Sequence, residues 1–85
     1  MNNNTDFIRR VREHLVTKHG EFDTLTRQQR SMAVEISNTE NFAHRVDMRA
    51  SREEVSRRIG RVHNEILGLD SVIEAENQKT QEATA

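Results

Sequence analysis

An aliphatic residue recurs at every third or fourth position between residues 51 and 73 of the chain. This repeat puts the aliphatic residues on one side of a helix, as in the seam of a coiled coil. A seam of this kind needs a partner, because an isolated helix is only marginally stable in water. Its members are Val55, Ile59, Val62, Ile66, Leu69 and Ile73.

A weaker repeat precedes this seam, and its members are mostly small or polar: Leu25, Met32, Ile36, Thr39, Ala43, Val46 and Ala50. The two repeats are out of phase. At their junction the sequence ASREEV has the form of a capping box, in which Ser51 and Glu54 exchange hydrogen bonds. We therefore predict an antiparallel hairpin of two helices that turns at 51–54 and sets Val46 opposite Ile59.

Two alternatives remain open. The sequence SNTEN at 37–41 offers another helix cap, Ser37 with Glu40, so the second helix can kink or break there; we favour a continuous helix, because its repeat keeps its phase across this segment. The strong seam can also pair with its own copy in a parallel coiled coil. The second alternative is disfavoured, because it places Glu65 beside Asp70 of the other copy, and like charges repel.

The start of the chain predicts a further helix, with Asn4 or Thr5 as its N-cap and Gly20 just beyond its end. Its apolar stripe includes Phe7, Val11 and Leu15, which we expect to pack against the hairpin. The predicted fold is an all-α three-helix bundle dominated by the long antiparallel hairpin. A single domain covers 1–76, with helices at about 5–19, 24–49 and 52–75, and 77–85 forms a disordered polar tail.

The composition supports a helical, weakly stabilised chain. It contains no Pro, three Gly and no Cys in 85 residues, so disulfides cannot reinforce the small core. Because oligomerisation would help such a chain, we expect a homodimer. The candidate interface residues are apolar side chains outside the seam, namely Phe42, Met48, Leu67 and Val72. Neither a signal peptide nor an apolar run long enough for a membrane span is evident, so we expect a cytoplasmic protein.

Charge is unevenly distributed along a chain whose net charge is −1. Arginine dominates the basic residues, and six arginines fall within seventeen positions: Arg45, Arg49, Arg52, Arg57, Arg58 and Arg61. Guanidinium groups bind carboxylates and phosphates in a bidentate manner. The cluster can therefore bind an acidic partner protein or nucleic acid, or form ordinary surface ion pairs with Asp47, Glu53 and Glu54. Nucleic acid is less favoured, because aromatic stacking residues and a helix-turn-helix pattern are lacking.

Catalytic and metal-binding patterns do not emerge. His14 and His19 are five residues apart, whereas two ligands on one helix face need a spacing of four. Glu53 and Glu54 are adjacent and diverge around a helix, so they do not form an acid–base pair. We expect no metal, no cofactor and no enzymatic activity.

The expected function is that of a small protein-binding regulator, adaptor or inhibitor, of the kind common among accessory proteins of phages and mobile elements. It would use helix faces and the arginine-rich turn to bind a macromolecule. The alternative is a nucleic-acid-binding accessory protein that uses the same arginines.

Overall fold

The protein is a long helical hairpin. The computed structural model describes residues 3–84, with side chains described for 5–79. Helix α1 spans Asn3–Asn38 and helix α2 spans Phe42–Thr84, and three residues connect them. The helices lie side by side and antiparallel, and together they form a rod of 65 × 16 × 13 Å. The described part of the chain is therefore all-helical, with two helices where the sequence predicted three.

The first missing boundary is the one predicted at Gly20. Gly20 lies inside α1 with an ordinary helical backbone, and its carbonyl accepts a hydrogen bond from the Thr24 hydroxyl at 3.0 Å. A glycine inside a helix costs about 1 kcal/mol. The apolar stripe continues beyond it, however, because Phe22 and Leu25 both pack into the core on the same side as Leu15. Burial of this continuous stripe outweighs the local stop signal.

The second misplaced boundary is the turn. It lies at residues 39–41, and not at 51–54. The SNTEN segment, across which we predicted a continuous second helix, is therefore where the chain reverses. Asn41 caps α2: its side-chain oxygen accepts a hydrogen bond from the backbone N–H of His44 at 3.0 Å. Ser51, by contrast, is exposed within α2.

The capping box fails because a longer seam runs through it. Met48 and Val55 lie seven residues apart on either side of the predicted break, and both are buried, with 8% and 5% of their surface exposed. A continuous helix places both in the core, whereas a turn at 51–54 would separate them. A cap contributes about 1 kcal/mol, and burying one such side chain contributes as much or more.

The strong seam at 55–73 is confirmed as the α2 side of the core. Val55, Val62 and Ile66 are buried, and Ile59, Leu69 and Ile73 pack against them. The α1 side of this cluster consists of Leu15, Phe22, Leu25 and Met32. Ala43, Val46 and Ala50 from the weaker repeat are exposed instead.

The register of the hairpin follows from three side-chain contacts between the helices. Lys18 Nζ lies 2.6 Å from Glu65 Oε2, the rings of Phe22 and His63 lie 6.1 Å apart, and Gln29 donates a hydrogen bond to Ser56. The predicted layers, such as Val46 with Ile59, are therefore wrong. The pairing follows from the turn at 39–41, twelve residues earlier than predicted.

Two further expectations concern the ends of the chain. Val11 and Leu15 are buried as predicted, but 45% of the surface of Phe7 is exposed. Helix α2 continues through residues 77–84, where the sequence predicted a disordered tail, and Ala85 lies outside the described residues. None of the helices in the described part of the chain has a stretch long and apolar enough to cross a membrane.

Candidate binding surfaces

The arginines singled out from the sequence all lie on the first half of α2, beginning one turn after the connection. They spread along about 24 Å of helix at 1.5 Å per residue. Successive residues are rotated by about 100° around the axis, so the six do not form one patch. Relative to the buried seam of α2, Arg45 and Arg52 lie towards α1, Arg49 and Arg58 lie on opposite flanks of the seam, and Arg57 and Arg61 face outward. Arg45 is half-buried and the other five are exposed.

Only one of these arginines forms an ion pair in the described part of the chain. Arg57 lies 2.6 Å from Glu54, one turn earlier on the same helix, and both side chains are largely exposed. The hydrogen bond from Arg57 lowers the pKa of the Glu54 carboxyl, and the positive charges of Arg58 and Arg61 lower it further. Three guanidinium groups thus create a positive potential around Glu54.

The fold adds two arginines that the sequence did not single out. Arg27 and Arg30 flank Gln29, whose hydrogen bond to Ser56 fixes their level beside the middle of the arginine-rich segment. Both line a shallow groove on α1 with Asp23 and Thr26. Once the turn is known to lie at 39–41, their distance from it is enough to predict this placement.

The hairpin is therefore electrically polarised. We define the turn half as residues 27–61, and the open half as residues 3–26 and 62–84. The turn half carries eight arginines and five carboxylates, a balance of +3. The open half carries five basic and nine acidic residues, a balance of −4.

The four residues predicted to form a dimer interface differ in their solvent exposure. Phe42, Leu67 and Val72 are exposed, with 78%, 51% and 36% of their surface accessible. Met48 is buried in the hairpin seam and is not available to a partner. Four other apolar side chains are also exposed: Phe7, Val16, Val34 and Val46.

A shallow groove lies at the open end of the rod. Ile8 and Val16 form its apolar part, and Arg9 and Arg12 stand beside them. Asn77 from α2 closes the groove, so both helices contribute to this face of the hairpin. The groove is shallow and open, which suits a macromolecular surface better than a small molecule.

A polar pair occupies the seam within the open half. Lys18 lies where an apolar residue would continue the α1 stripe, and its ammonium group contacts both Glu65 and Glu21. The hydrogen bond to Glu65 raises the pKa of Lys18, and the same bond lowers the pKa of Glu65. Since this ion pair connects the two helices, we interpret it as a determinant of register and not as a binding site.

The described residues contain no group of three or more side chains that could hold a metal ion. Among the histidines, His63 packs its ring at 41° to that of Phe22, which is a structural contact.

Comparisons with known proteins do not assign a role to these surfaces. No protein-family model matches the chain, and neither the curated proteins nor the solved structures yielded a match. Function must therefore be argued from the surfaces themselves.

Proposed function

We propose that the protein is a small non-enzymatic regulator, adaptor or inhibitor that acts as a homodimer and binds an acidic surface of another protein through its arginine-rich turn half. The observation that carries the proposal is the state of the arginines. Within the described part of the chain, the guanidinium groups of five of the six form neither an ion pair nor a hydrogen bond; only that of Arg57 does. Their binding capacity is therefore available to a partner.

Arg58 and Arg61 are the arginines best placed for this role. They lie one turn apart on the flank of α2 opposite to Arg49, and both are exposed. Their effect on the pKa of Glu54 indicates a potential that favours carboxylates at this surface. An acidic helix or loop laid along α2 would meet both guanidinium groups and could form bidentate contacts.

An acidic protein accounts for this surface better than nucleic acid does. Asp47, Glu53 and Glu54 lie between the arginines and would repel a phosphate backbone that followed the helix. The arginines also divide between two sides of α2, which breaks a continuous phosphate track. Nucleic-acid binding through the same arginines is the alternative, and the experiment must distinguish it from binding of an acidic protein.

We also infer a cytoplasmic setting and a role like that of small accessory proteins of phages and mobile elements. A short, charged, cysteine-free helical chain is typical of such proteins.

The proposal is tested by affinity capture from lysate, with and without nuclease. We expect the wild type to retain a defined protein after nuclease treatment. The double variant Arg58→Glu, Arg61→Glu should lose it, because two attractive contacts become repulsive. The matched control Arg10→Glu, Lys79→Glu makes the same change of charge in the open half and should retain the partner.

Two outcomes contradict the proposal. If nuclease abolishes capture, and binding to purified nucleic acid falls steeply with salt, the arginines serve the nucleic-acid alternative. If the turn-half and control variants retain the partner equally, the arginine surface is not the site.

A further inference from the structure

One broad face of the hairpin carries a self-complementary pattern that the seam does not use. Val16 directly follows the seam residue Leu15, and Leu67 directly follows Ile66, so each lies about 100° around its helix from its seam neighbour. Because the helices run in opposite directions, these equal rotations bring both residues to the same side of the rod. We call this side the Val16 face. The groove that joins Val16 to Asn77 of α2 lies on it.

The register of the hairpin puts the residues of this face at matching levels. Lys18 and Glu65 are in contact, and equal steps along both helices from this pair identify residues at similar levels. The contacts of Phe22 with His63 and of Gln29 with Ser56 agree with these levels to within two residues, or about 3 Å along the rod. Two steps towards the open end lead to Val16 and Leu67. Nine steps lead to Arg9 and Glu74, and twelve steps towards the turn lead to Arg30 and Glu53.

The matched residues are complementary but do not pair within one hairpin. In the described structure Arg9 contacts Asp6 at 3.4 Å, and Arg30 makes no ion pair with Glu53. Val16 and Leu67 remain 72% and 51% exposed. The two edges of the face carry opposite charge. The α1 edge has Arg9, Arg12 and Arg30 against Asp23, and the α2 edge has Glu53, Asp70 and Glu74 against Arg49.

We propose that the Val16 face binds the same face of a second copy in a parallel dimer, with both turns at one end. A two-fold axis along the rod lays α1 of each copy on α2 of the other at the same level. Val16 then packs on Leu67 of the second copy, while Arg9 meets its Glu74 and Arg30 meets its Glu53. Symmetry makes each contact twice. The inference rests on the homodimer of the proposed function and specifies its surface and orientation.

The antiparallel arrangement of the same two faces is less favourable. It lays α1 on α1 and α2 on α2, so that a basic edge faces a basic edge and an acidic edge faces an acidic one. Like charges brought together across an interface oppose association. The parallel arrangement leaves Arg58 and Arg61 outside the interface, on the opposite side of α2, where the acidic partner is proposed to bind.

The size of the face is sufficient for a stable dimer. A rod 65 Å long and 16 Å wide offers roughly 1,000 Å² per copy, or about 2,000 Å² in total, if the face is fully covered. Specific interfaces bury about 1,200–2,000 Å². A dimer with partial overlap therefore still reaches the usual range.

Charge reversal at one matched pair tests the proposal. Sedimentation equilibrium should show a dimer for the wild type. Arg30→Glu and Glu53→Arg alone should each raise the dissociation constant about ten-fold or more, because each creates two repulsive contacts. The double variant restores opposite charges and should return the dissociation constant to within about three-fold of the wild-type value.

A second set of variants tests the apolar contact. Val16→Lys should weaken the dimer, whereas Val34→Lys should not, because Val34 is also exposed on α1, at 59% against 72% for Val16, but lies outside the Val16 face. Circular dichroism of both variants must show the wild-type helix content, which separates loss of the dimer from loss of the fold.

Orientation is measured with one spin label. The chain contains no cysteine, so Glu40→Cys places a single label at the turn. In the parallel dimer the two labels should lie closer together than half of the rod length of 65 Å. A separation near the full rod length would show the antiparallel arrangement and overturn the proposal.

The remaining outcomes distinguish this inference from the proposed function. A wild type that stays monomeric at the highest attainable concentration overturns both the homodimer and this interface. The capture experiment then still tests, independently, whether the arginines bind an acidic partner. A dimer that is indifferent to all Val16-face variants keeps the homodimer and overturns only the interface. If the wild type is monomeric and Val16→Lys abolishes capture of a foreign protein, the face binds that protein instead.

Discussion

The middle of the hairpin and its turn end are built differently, although one heptad repeat runs through both. In the middle, aliphatic side chains from both helices form a continuous core around Leu25, Val55 and Val62. Near the turn the core is reduced to Ile36 and Met48, and Arg45 and Arg52 occupy seam positions. The apolar Phe42 and Val46 point away from α1 and are exposed. The middle therefore supplies most of the core that stabilises the fold, while most side chains at the turn end are exposed.

This difference explains why a regular pattern can mislead. Around the turn, apolar and small residues satisfy more than one helical stripe, and the stripe through Val46 looks as regular as the one through Met48. Only the strength of the seam on the opposite helix decides between them. Where both helices contribute large aliphatic residues, the choice is unambiguous.

The largest predicted effect uses the same substitution in both regions. Val62→Ala removes two methyl groups from the most buried side chain of the core, of which 3% is exposed. It should lower the free energy of unfolding by about 2–3 kcal/mol. Val46→Ala acts on a residue that is 47% exposed and should cost less than about 0.5 kcal/mol. Urea unfolding followed by circular dichroism, at one protein concentration, measures both. Equal costs would show that Val46 also lies in a core.

A smaller effect distinguishes the observed cap from the predicted one. Asn41→Ala removes the side-chain oxygen that accepts the His44 N–H and should destabilise the hairpin by about 1 kcal/mol. Ser51→Ala changes an exposed residue inside α2, where alanine is the better helix former, and should be neutral or stabilising by a few tenths of a kcal/mol. If Ser51→Ala destabilised the hairpin more than Asn41→Ala, the helix cap would lie at Ser51 and the turn at 51–54.

The smallest effect concerns acid stability in the open half. Since Lys18 lowers the pKa of Glu65 in the folded chain, the ion pair stabilises the fold at pH values above the ordinary carboxyl value of about 4.5. This contribution is lost as the pH falls through the lowered pKa of the folded state, where Glu65 becomes protonated. Glu65→Gln should therefore lose less stability than the wild type between neutral and acid pH. Thermal unfolding across this range provides the measurement. Parallel pH profiles for the two proteins would exclude a stabilising role of the pair.

The parts of the fold that the sequence predicts correctly are those that depend on burial. The helical class and the seam at 55–73 follow from a repeat that must be buried, and the antiparallel hairpin follows from the second, weaker repeat that precedes it and from the charges that disfavour a parallel coiled coil. The turn, the number of helices and the pairing depend on weaker signals. Gly20 and the capping box at Ser51 each act over a few residues, with about 1 kcal/mol at stake, and continuous packing across the helices overrides both.

The candidate surfaces, too, can be predicted only in part from the sequence. The six arginines are visible in the sequence, but their division between two sides of α2 depends on the phase of the helix relative to the seam. Arg27 and Arg30 join the turn half only because the chain reverses at 39–41. The Val16 face requires both the phase and the register, so no pattern within a single segment reveals it.

The sparse core beside the connection also affects how the chain reaches its fold. The three-residue turn holds the ends of α1 and α2 together, yet the main apolar cluster, which includes Leu25 and Val55, brings together residues about thirty positions apart along the chain. Closing that loop costs conformational entropy, which the few contacts near Asn41 repay only in part. Folding that starts at the turn therefore gains little stabilising free energy from its first contacts. We expect the folding nucleus to form in the middle of the rod instead. Once folded, the same imbalance lets the turn end open at a lower free energy than the middle of the rod, so the proposed arginine surface can rearrange while the middle of the hairpin stays closed.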